Sequence, residues 1–196
     1  MYMYKENQKI FKNIIAITNR HLCKRPFLEQ IERVCCCKPK AIVLREKDLS
    51  ENEYYMIAKE VTKICKLYNV PYIFHTYLNT AKEMNCTAIH LPFSLLQKYY
   101  NQLKNFTIIG TSVHSIEEAL KSEKLGATYI TAGHIYNTDC KKGIPPKGIE
   151  FLKEICENVS LPVYGIGGIK LNESQLKDIL NCGAKGACIM SNMMEI

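Results

Sequence analysis

The sequence contains no apolar run long enough to cross a membrane, which takes about 20 consecutive apolar residues in a helix. Its first residues include Lys5, Glu6, Lys9 and Lys12, and they lack the apolar stretch of a signal peptide. A Pro-, Gly- or Ser-rich linker, a low-complexity tract and a shift in composition are missing as well. We therefore expect a cytoplasmic protein without a membrane partner, in which residues 1–196 form a single domain.

Signals for a metal centre or for nucleic-acid binding are also missing. The ten cysteines include no C-x-x-C pair, and the consecutive Cys35, Cys36 and Cys37 would point in different directions on a helix. We interpret most cysteines as small apolar residues. The formal charge of +7 comes from lysines spread along the chain, without a basic block. It favours an anionic partner, and we expect no nucleic acid.

The sequence does contain a regular alternation of short β-branched runs and longer amphipathic segments, which is typical of α/β proteins. Eight candidate strands lie at 14–18, 41–45, 72–75, 88–91, 107–112, 129–133, 163–167 and 186–190. Helix-like stretches lie at 27–37, 52–68, 78–84, 94–103, 116–125, 147–158 and 172–182, and the N-cap candidates are Ser50, Ser94, Ser115 and Asn172. A full helix after the eighth strand is missing, so we expect a truncated last helix.

Polar residues at the carboxyl ends of the predicted strands distinguish a closed barrel from an open sheet. Eight strands joined by helices can form either arrangement. In an open sheet a ligand uses only the loops beside one switch point, whereas a barrel gathers all strand ends around one mouth. Because polar residues follow most strands, we predict a single (β/α)8 TIM barrel. These residues are Arg45, Lys47, His75, Ser112, His134, Lys141, Gly167, Gly168, Ser191 and Asn192.

Glycines and small polar residues follow the last two predicted strands. In barrels, the loops after strands seven and eight often hold a phosphate on backbone N–H groups, to which glycine permits close approach. We therefore predict a phosphate site at Gly167, Gly168, Met190 and Ser191. The alternative is that the glycines only form tight turns.

A long polar loop, 133–143, leaves the sixth predicted strand, and its length suggests a lid or a binding loop. His134 stands where this loop opens into the mouth. Imidazole can exchange a proton in either direction near neutral pH, so His134 is the candidate acid and base. The alternative is a structural histidine, an interpretation that we apply to His21, His90 and His114.

Three segments carry a resemblance to a known family: 44–48 (LREKD), 109–115 (IGTSVHS) and 164–169 (YGIGGI). In this order and at these separations they resemble the thiamine-phosphate synthase/TenI superfamily, and the resemblance extends over nearly the whole chain. It implies a TIM barrel and a role in thiamine biosynthesis.

The superfamily implies two competing activities. A synthase joins a pyrimidine diphosphate to a thiazole phosphate with Mg²⁺. A resemblance to the synthases would require an Asn-Asp pair after strand three and an Asp after strand four. This chain has His75, Thr76 and Leu95 at those places, which cannot replace carboxylate oxygens around Mg²⁺. The loop 133–143 resembles instead the thiazole tautomerase, which isomerises a carboxylated thiazole phosphate.

We therefore predict an isomerase, a thiazole tautomerase in which His134 carries the proton, as the resemblance implies. The predicted substrate is a phosphorylated thiazole, and no metal or organic cofactor is expected. The predicted substrate-binding residues are Arg45, Lys47, Ser112, Thr138 and Lys141. Which cation receives the substrate carboxylate is not decided by the sequence.

Two other functions stay open. One is a thiamine-phosphate synthase, which would release diphosphate in the presence of Mg²⁺. The other is a non-catalytic regulatory protein that binds phosphates of the thiamine pathway. The oligomeric state also stays open, and the sequence is compatible with a homo-oligomer.

Overall fold

A computed structural model describes residues 8–138 and 143–196, in which strands and helices alternate along the chain. Every observed strand lies within one residue of its predicted bounds. The strands are β1 (Ile14–Ile17), β2 (Ala41–Leu44), β3 (Tyr72–His75), β4 (Ala88–Pro92), β5 (Ile108–Val113), β6 (Tyr129–Gly133), β7 (Val163–Ile166) and β8 (Gly186–Ile189).

The strands form a closed parallel barrel in chain order, which confirms the predicted TIM barrel and excludes the open sheet. The ring closes where β1 pairs with β8, with Ile15 opposite Cys188 in the middle of the seam. Closure brings the carboxyl ends of all eight strands to one mouth.

Helices surround the barrel. They are α1 (Gln8–Phe11), α2 (Phe27–Cys36), α3 (Glu51–Leu67), α4 (Leu78–Glu83), α5 (Phe93–Tyr99), α6 (Ile116–Lys124), α7 (Gly148–Asn158), α8 (Glu173–Asn181) and α9 (Ser191–Glu195). The expected truncation of the last helix appears as α9, which has five residues. In the described part of the chain, no helix combines the length and the apolar character that a membrane span requires.

Side-chain caps begin three of the helices at the predicted residues. Ser50 and Glu53 form a capping box on α3, and Ser115 and Asn172 cap α6 and α8. Ser94 is not a cap. It lies inside α5, which begins one residue earlier, directly after a proline.

Cysteines contribute to the core as small apolar residues. Cys35 and Cys37 are buried whereas Cys36, between them, is exposed, so the three side chains do not converge on one point. The cysteines in the described residues are all free thiols. On α3, Cys65 continues a buried stripe that begins at Tyr54.

Tyr54 connects α3 to two strand ends that line the mouth. Its hydroxyl donates a hydrogen bond to the Leu44 carbonyl (2.7 Å) and accepts one from the His75 backbone N–H (3.0 Å). The ring is fully buried, edge-on to Phe74 with centroids 5.9 Å apart. The hydroxyl therefore fixes the ends of β2 and β3, which carry Arg45 and His75.

Replacing Tyr54 by Phe should destabilise the fold. The Leu44 carbonyl and the His75 N–H would lose their partner in a buried place, at a cost of about 1–3 kcal/mol in the free energy of unfolding. Tyr55→Phe, one residue along the same helix, is the control, and we expect a change below about 0.5 kcal/mol. Urea unfolding of both variants measures this, and equal losses would contradict the role of the Tyr54 hydroxyl.

Candidate active site at the barrel mouth

The mouth of the barrel contains a cavity of about 1140 Å³. Each of the eight strands contributes a residue to its wall, at or near its carboxyl end. The cavity is therefore a product of barrel closure and belongs to no single loop. This is the position of active sites in TIM-barrel enzymes.

The structure brings the predicted site residues together in this one cavity. Lys141 lies outside the described residues, as does the rest of segment 139–142. The predicted residues that line the cavity are Arg45, Lys47, Ser112, His134, Thr138, Gly167, Gly168, Met190 and Ser191.

Arg45 joins two parts of the wall. Its backbone N–H donates to the Thr18 hydroxyl (2.8 Å), and its Nη1 lies 3.9 Å from the Met190 sulfur. The guanidinium thus extends from the end of β2 to the loop after β8. None of the ion pairs between described residues includes Arg45.

The glycine turn after β7 is confined by the loop after β6. Gly167 and Gly168 have positive φ angles of 94° and 69°. A Cβ on Gly167 would lie 2.3 Å from the His134 Cβ, and one on Gly168 would lie 2.4 Å from the Asn137 carbonyl oxygen. The two glycines therefore form a tight turn that lines the cavity, and the phosphate site at this turn stays a prediction.

His134 is 5% exposed and lies in the cavity wall. Its Nε2 is 3.3 Å from the Ile144 carbonyl oxygen, and its own carbonyl accepts a hydrogen bond from the Lys147 N–H (2.9 Å). The residue therefore contacts the returning part of the loop that it begins.

A pair of histidines, His75 and His90, forms the floor of the cavity, and the sequence analysis gave His90 a structural role. The rings of His75 and His90 are stacked with centroids 5.5 Å apart. His90 has partners at both ring nitrogens, the Tyr129 hydroxyl (2.9 Å) and the Ser112 hydroxyl (2.8 Å). The sequence signal for His90 was its place as a polar residue within the otherwise apolar β4. The register between β3 and β4 then places His90 beside His75.

Both imidazoles of this pair are uncharged near neutral pH. Burial lowers the pKa of His75 well below its ordinary value, and the neighbouring His90 and Arg45 add to the effect. Burial also lowers the pKa of His90 to about 3, with further contributions from Arg45 and Lys47. The floor of the cavity is therefore uncharged, and the cations Arg45 and Lys47 lie near it.

Glu118 and His114 are two further residues of the wall that sequence reasoning did not assign to the site. Glu118 accepts a hydrogen bond from the His114 backbone N–H (2.6 Å), and the His114 Nδ1 lies 2.7 Å from the Gly133 carbonyl oxygen. Both lie beyond the end of β5, where only Ser112 was predicted.

The residues at the expected magnesium positions do not fit a divalent cation. Burial keeps His75 uncharged, the Thr76 hydroxyl lies 2.6 Å from the His75 Nδ1, and Leu95 packs against the hydrophobic core. Mg²⁺ prefers an octahedron of oxygen ligands that includes carboxylates. Within residues 8–138 and 143–196, no group of three or more Asp, Glu, His or Cys side chains could hold a metal ion.

Acidification should destabilise the wild-type protein more than a His90→Gln variant. The unfolded chain binds a proton at His90 below a pH of about 6.5, whereas the folded chain does so only near 3. This contribution to stability is complete above a pH of about 6.5 and is lost toward about 3, at about 1.4 kcal/mol per pH unit. Urea unfolding at a pH of about 7.5 and about 5.5 measures the two slopes, and parallel slopes would contradict a neutral, buried His90.

Comparison with known proteins identifies relatives over nearly the full length. Residues 14–193 match the family described as Thiamine monophosphate synthase. The thiamine-phosphate synthase of Clostridium acetobutylicum is 35% identical over 185 residues, which cover 93% of this chain and 87% of that protein. The thiamine-phosphate synthase of Pyrococcus abyssi is 32% identical over 192 residues, covering 97% and 89%.

A solved structure agrees with these relatives. The thiamine phosphate pyrophosphorylase from Pyrococcus furiosus matches with a TM-score of 0.80 and 29% sequence identity. The match covers 96% of this chain and 90% of that one. The superfamily predicted from the sequence is confirmed, and with it the assignment to thiamine biosynthesis.

The predicted thiazole tautomerase is wrong, and so is its classification as an isomerase. The curated relatives that match nearly the whole chain are named as synthases, which are transferases, and the solved structure is named as a pyrophosphorylase. The prediction depended on one loop, 133–143, and on the three residues at the magnesium positions, whereas the similarity extends over the entire barrel. Proton transfer by His134 was predicted from its position at the mouth and from the resemblance to the tautomerase, and it stays a prediction; the His134 Nε2 lies 3.3 Å from the Ile144 carbonyl oxygen.

The family match covers most of the chain, and the relatives exceed 30% identity across its length. The chain belongs to the thiamine monophosphate synthase family.

Proposed function

We propose that this protein is a thiamine-phosphate synthase, a transferase that joins a pyrimidine diphosphate to a thiazole phosphate at the barrel mouth. The observation that carries the proposal is one cavity in which the cations Arg45 and Lys47 share a wall with the glycine turn of Gly167 and Gly168. The reaction needs two phosphorylated substrates side by side, and these two parts of the wall suit their anionic groups. The names of the relatives support the same reaction.

The thiazole phosphate would bind at the loops after β7 and β8. Gly167 and Gly168 carry no side chain between their backbone and the cavity, and Ser191 adds an exposed hydroxyl. Backbone N–H groups bind phosphate well in such loops. Met190 places this region next to the Arg45 guanidinium.

The diphosphate of the pyrimidine would bind at the end of β2. During transfer its bond to the pyrimidine methylene carbon breaks, a bond from that carbon to the thiazole nitrogen forms, and diphosphate leaves with the electron pair. Arg45 and Lys47 stabilise the negative charge that grows on this leaving group.

The rings of the two substrates would lie over the neutral floor. The Ser112 hydroxyl lies 2.8 Å from the His90 Nε2, and Thr138 lines the same cavity from the loop after β6. Lys141 stays a predicted binding residue, and the part of His134 in the chemistry stays a prediction as well. The cytoplasmic location and the oligomeric state are likewise predictions from the sequence.

A second function is favoured by one observation, the lack of carboxylates at the expected magnesium positions. His75, Thr76 and Leu95 offer no replacement for them. A member of this family that lost turnover could still bind thiazole phosphate in the same cavity. The second candidate is therefore a non-catalytic binding protein of thiamine metabolism.

The coupling reaction tests the proposal directly. We expect the purified protein to form thiamine phosphate from the pyrimidine diphosphate and the thiazole phosphate in a buffer with millimolar Mg²⁺. Arg45→Gln should lower kcat/KM by about a hundredfold, because it removes a group that stabilises the departing charge. Arg33→Gln, the same change on the exposed side of α2, is the control. Substrate binding without any product would favour the non-catalytic function.

Ser191→Asp tests the phosphate position without disturbing the fold. An acidic residue in the first turn of α9 is favourable for the helix, so the melting temperature should not fall. The new carboxylate would repel the thiazole phosphate and weaken its binding by about tenfold or more in calorimetric titration. Asn105→Asp adds the same charge at an exposed position before β5, at the opposite end of the barrel. Equal affinities in the two variants would remove Ser191 from the phosphate site.

A further inference from the structure

A chain of hydrogen bonds runs through the barrel interior from Tyr129 to the cavity. The Tyr129 hydroxyl lies 2.9 Å from the His90 Nδ1, and the His90 Nε2 lies 2.8 Å from the Ser112 hydroxyl oxygen. The Thr131 hydroxyl donates to the same Ser112 oxygen over 3.0 Å. Because Tyr129 is buried and Ser112 lines the cavity, the chain begins in the core and ends at a surface that a substrate can contact.

Gly110 makes room for the first contact of this chain. It is in register with His90 on one side and with Tyr129 on the other. A Cβ on Gly110 would lie 2.2 Å from the Tyr129 Cζ, so a side chain at this position would collide with the ring. The glycine therefore allows the Tyr129 hydroxyl to reach across β5 to His90.

The Tyr129 hydroxyl determines which nitrogen of His90 carries the hydrogen. Burial raises the pKa of Tyr129 well above its ordinary value, so the O–H stays protonated. Among the described residues, the His90 Nδ1 is the hydrogen-bond partner of this hydroxyl. A neutral imidazole has one donor nitrogen and one acceptor nitrogen. The buried O–H is satisfied when Nδ1 is the acceptor, and the His90 Nε2 then carries the ring hydrogen.

The Ser112 oxygen receives hydrogen bonds from two donors. One is the His90 Nε2–H, and the other is the Thr131 hydroxyl. A hydroxyl oxygen accepts through two lone pairs and donates one hydrogen. Since both lone pairs are used, the Ser112 O–H points its hydrogen toward the cavity. Ser112 therefore meets a substrate as a donor and not as an acceptor.

The atom that suits this donor is a ring nitrogen that has a lone pair and no hydrogen. Both substrates of the proposed reaction contain such a nitrogen. The thiazole nitrogen uses its lone pair for the new bond, so it cannot accept a hydrogen bond in the same step. The pyrimidine reacts at its methylene carbon, and its ring nitrogens keep their lone pairs. The uncharged floor of His75 and His90 also suits an uncharged ring.

We propose that Tyr129 and His90 are positioning residues that fix the Ser112 hydroxyl as a hydrogen-bond donor to a pyrimidine ring nitrogen. This inference rests on the proposed function for the identity of the ring. A ring that presented an N–H at this place would meet the Ser112 O–H donor to donor, and both groups would be left unpaired. The hydrogen-bond chain therefore selects ring acceptors over ring donors.

NMR of the imidazole nitrogens in the full-length protein tests the direction of the hydrogen bonds. Long-range proton–nitrogen correlations distinguish the two neutral tautomers, and the signals that disappear in His90→Gln belong to His90. We expect His90 to be protonated at Nε2 and unprotonated at Nδ1 near neutral pH. In Tyr129→Phe a part of the population should move the hydrogen to Nδ1. A wild-type His90 that is protonated at Nδ1 would overturn the inference, whichever reaction the protein catalyses.

Calorimetric titration tests the consequence for binding, with the pyrimidine diphosphate and with inorganic pyrophosphate, which has no ring. Tyr129→Phe should weaken binding of the pyrimidine diphosphate by about tenfold and leave pyrophosphate binding unchanged. Tyr164→Phe is the matched control, because it removes a hydroxyl from the ring that lies edge-on to Tyr129, with centroids 5.9 Å apart. It should bind both ligands as the wild type does, and melting temperatures show that both variants are folded.

Equal losses for the two ligands, or an unchanged affinity for the pyrimidine diphosphate in folded Tyr129→Phe, would count against the positioning role. The coupling assay separates this outcome from failure of the proposed function. A loss confined to the pyrimidine diphosphate, in a protein that forms no product, supports the inference and contradicts the synthase. Product formation with the wild-type kcat/KM in Tyr129→Phe supports the synthase and contradicts the inference.

Discussion

The pairing of β1 with β8 is the interaction on which the candidate site depends, because it closes the sheet around a single mouth. Residues distant in sequence meet only through this closure, as Arg45 after β2 meets Met190 after β8. The seam is supported from outside, where Gln30 of α2 donates to the Met193 carbonyl of α9 (2.9 Å). This hydrogen bond connects α9, which follows the last strand, to α2.

A cavity that attracts anions needs positive charge that is not cancelled by its neighbours. In the segment after β2, acidic and basic residues alternate: Arg45 and Lys47 line the cavity, whereas Glu46 and Asp48 pair with Arg20. Arg20 compensates the two acids at a distance from the mouth. Burial is the main cause of the lowered pKa of His75 and His90, and the cations Arg45 and Lys47 of the wall lower both values further.

The end of β3 shows why individual residues and whole-chain similarity indicated different activities. Thr76 has a φ of 72°, a left-handed conformation that is unusual for a β-branched residue and that Asn and Asp adopt more easily. The resemblance places an Asp at this position in synthases. The end of β3 thus combines a backbone conformation that suits Asn or Asp with a Thr side chain.

The sequence by itself determined the fold, because apolar periodicity and helix caps such as Ser50 are local signals. The apolar runs placed every strand within one residue of its observed bounds. It also identified several polar residues of the cavity wall, since residues at strand ends must meet once a barrel closes. Only the tertiary structure decided how these side chains interact. Register across neighbouring strands placed His90 against His75, and loop packing placed the His134 Nε2 against a backbone carbonyl. Contacts between residues distant in sequence depend on how strands and loops pack, and a local pattern contains no information about that packing.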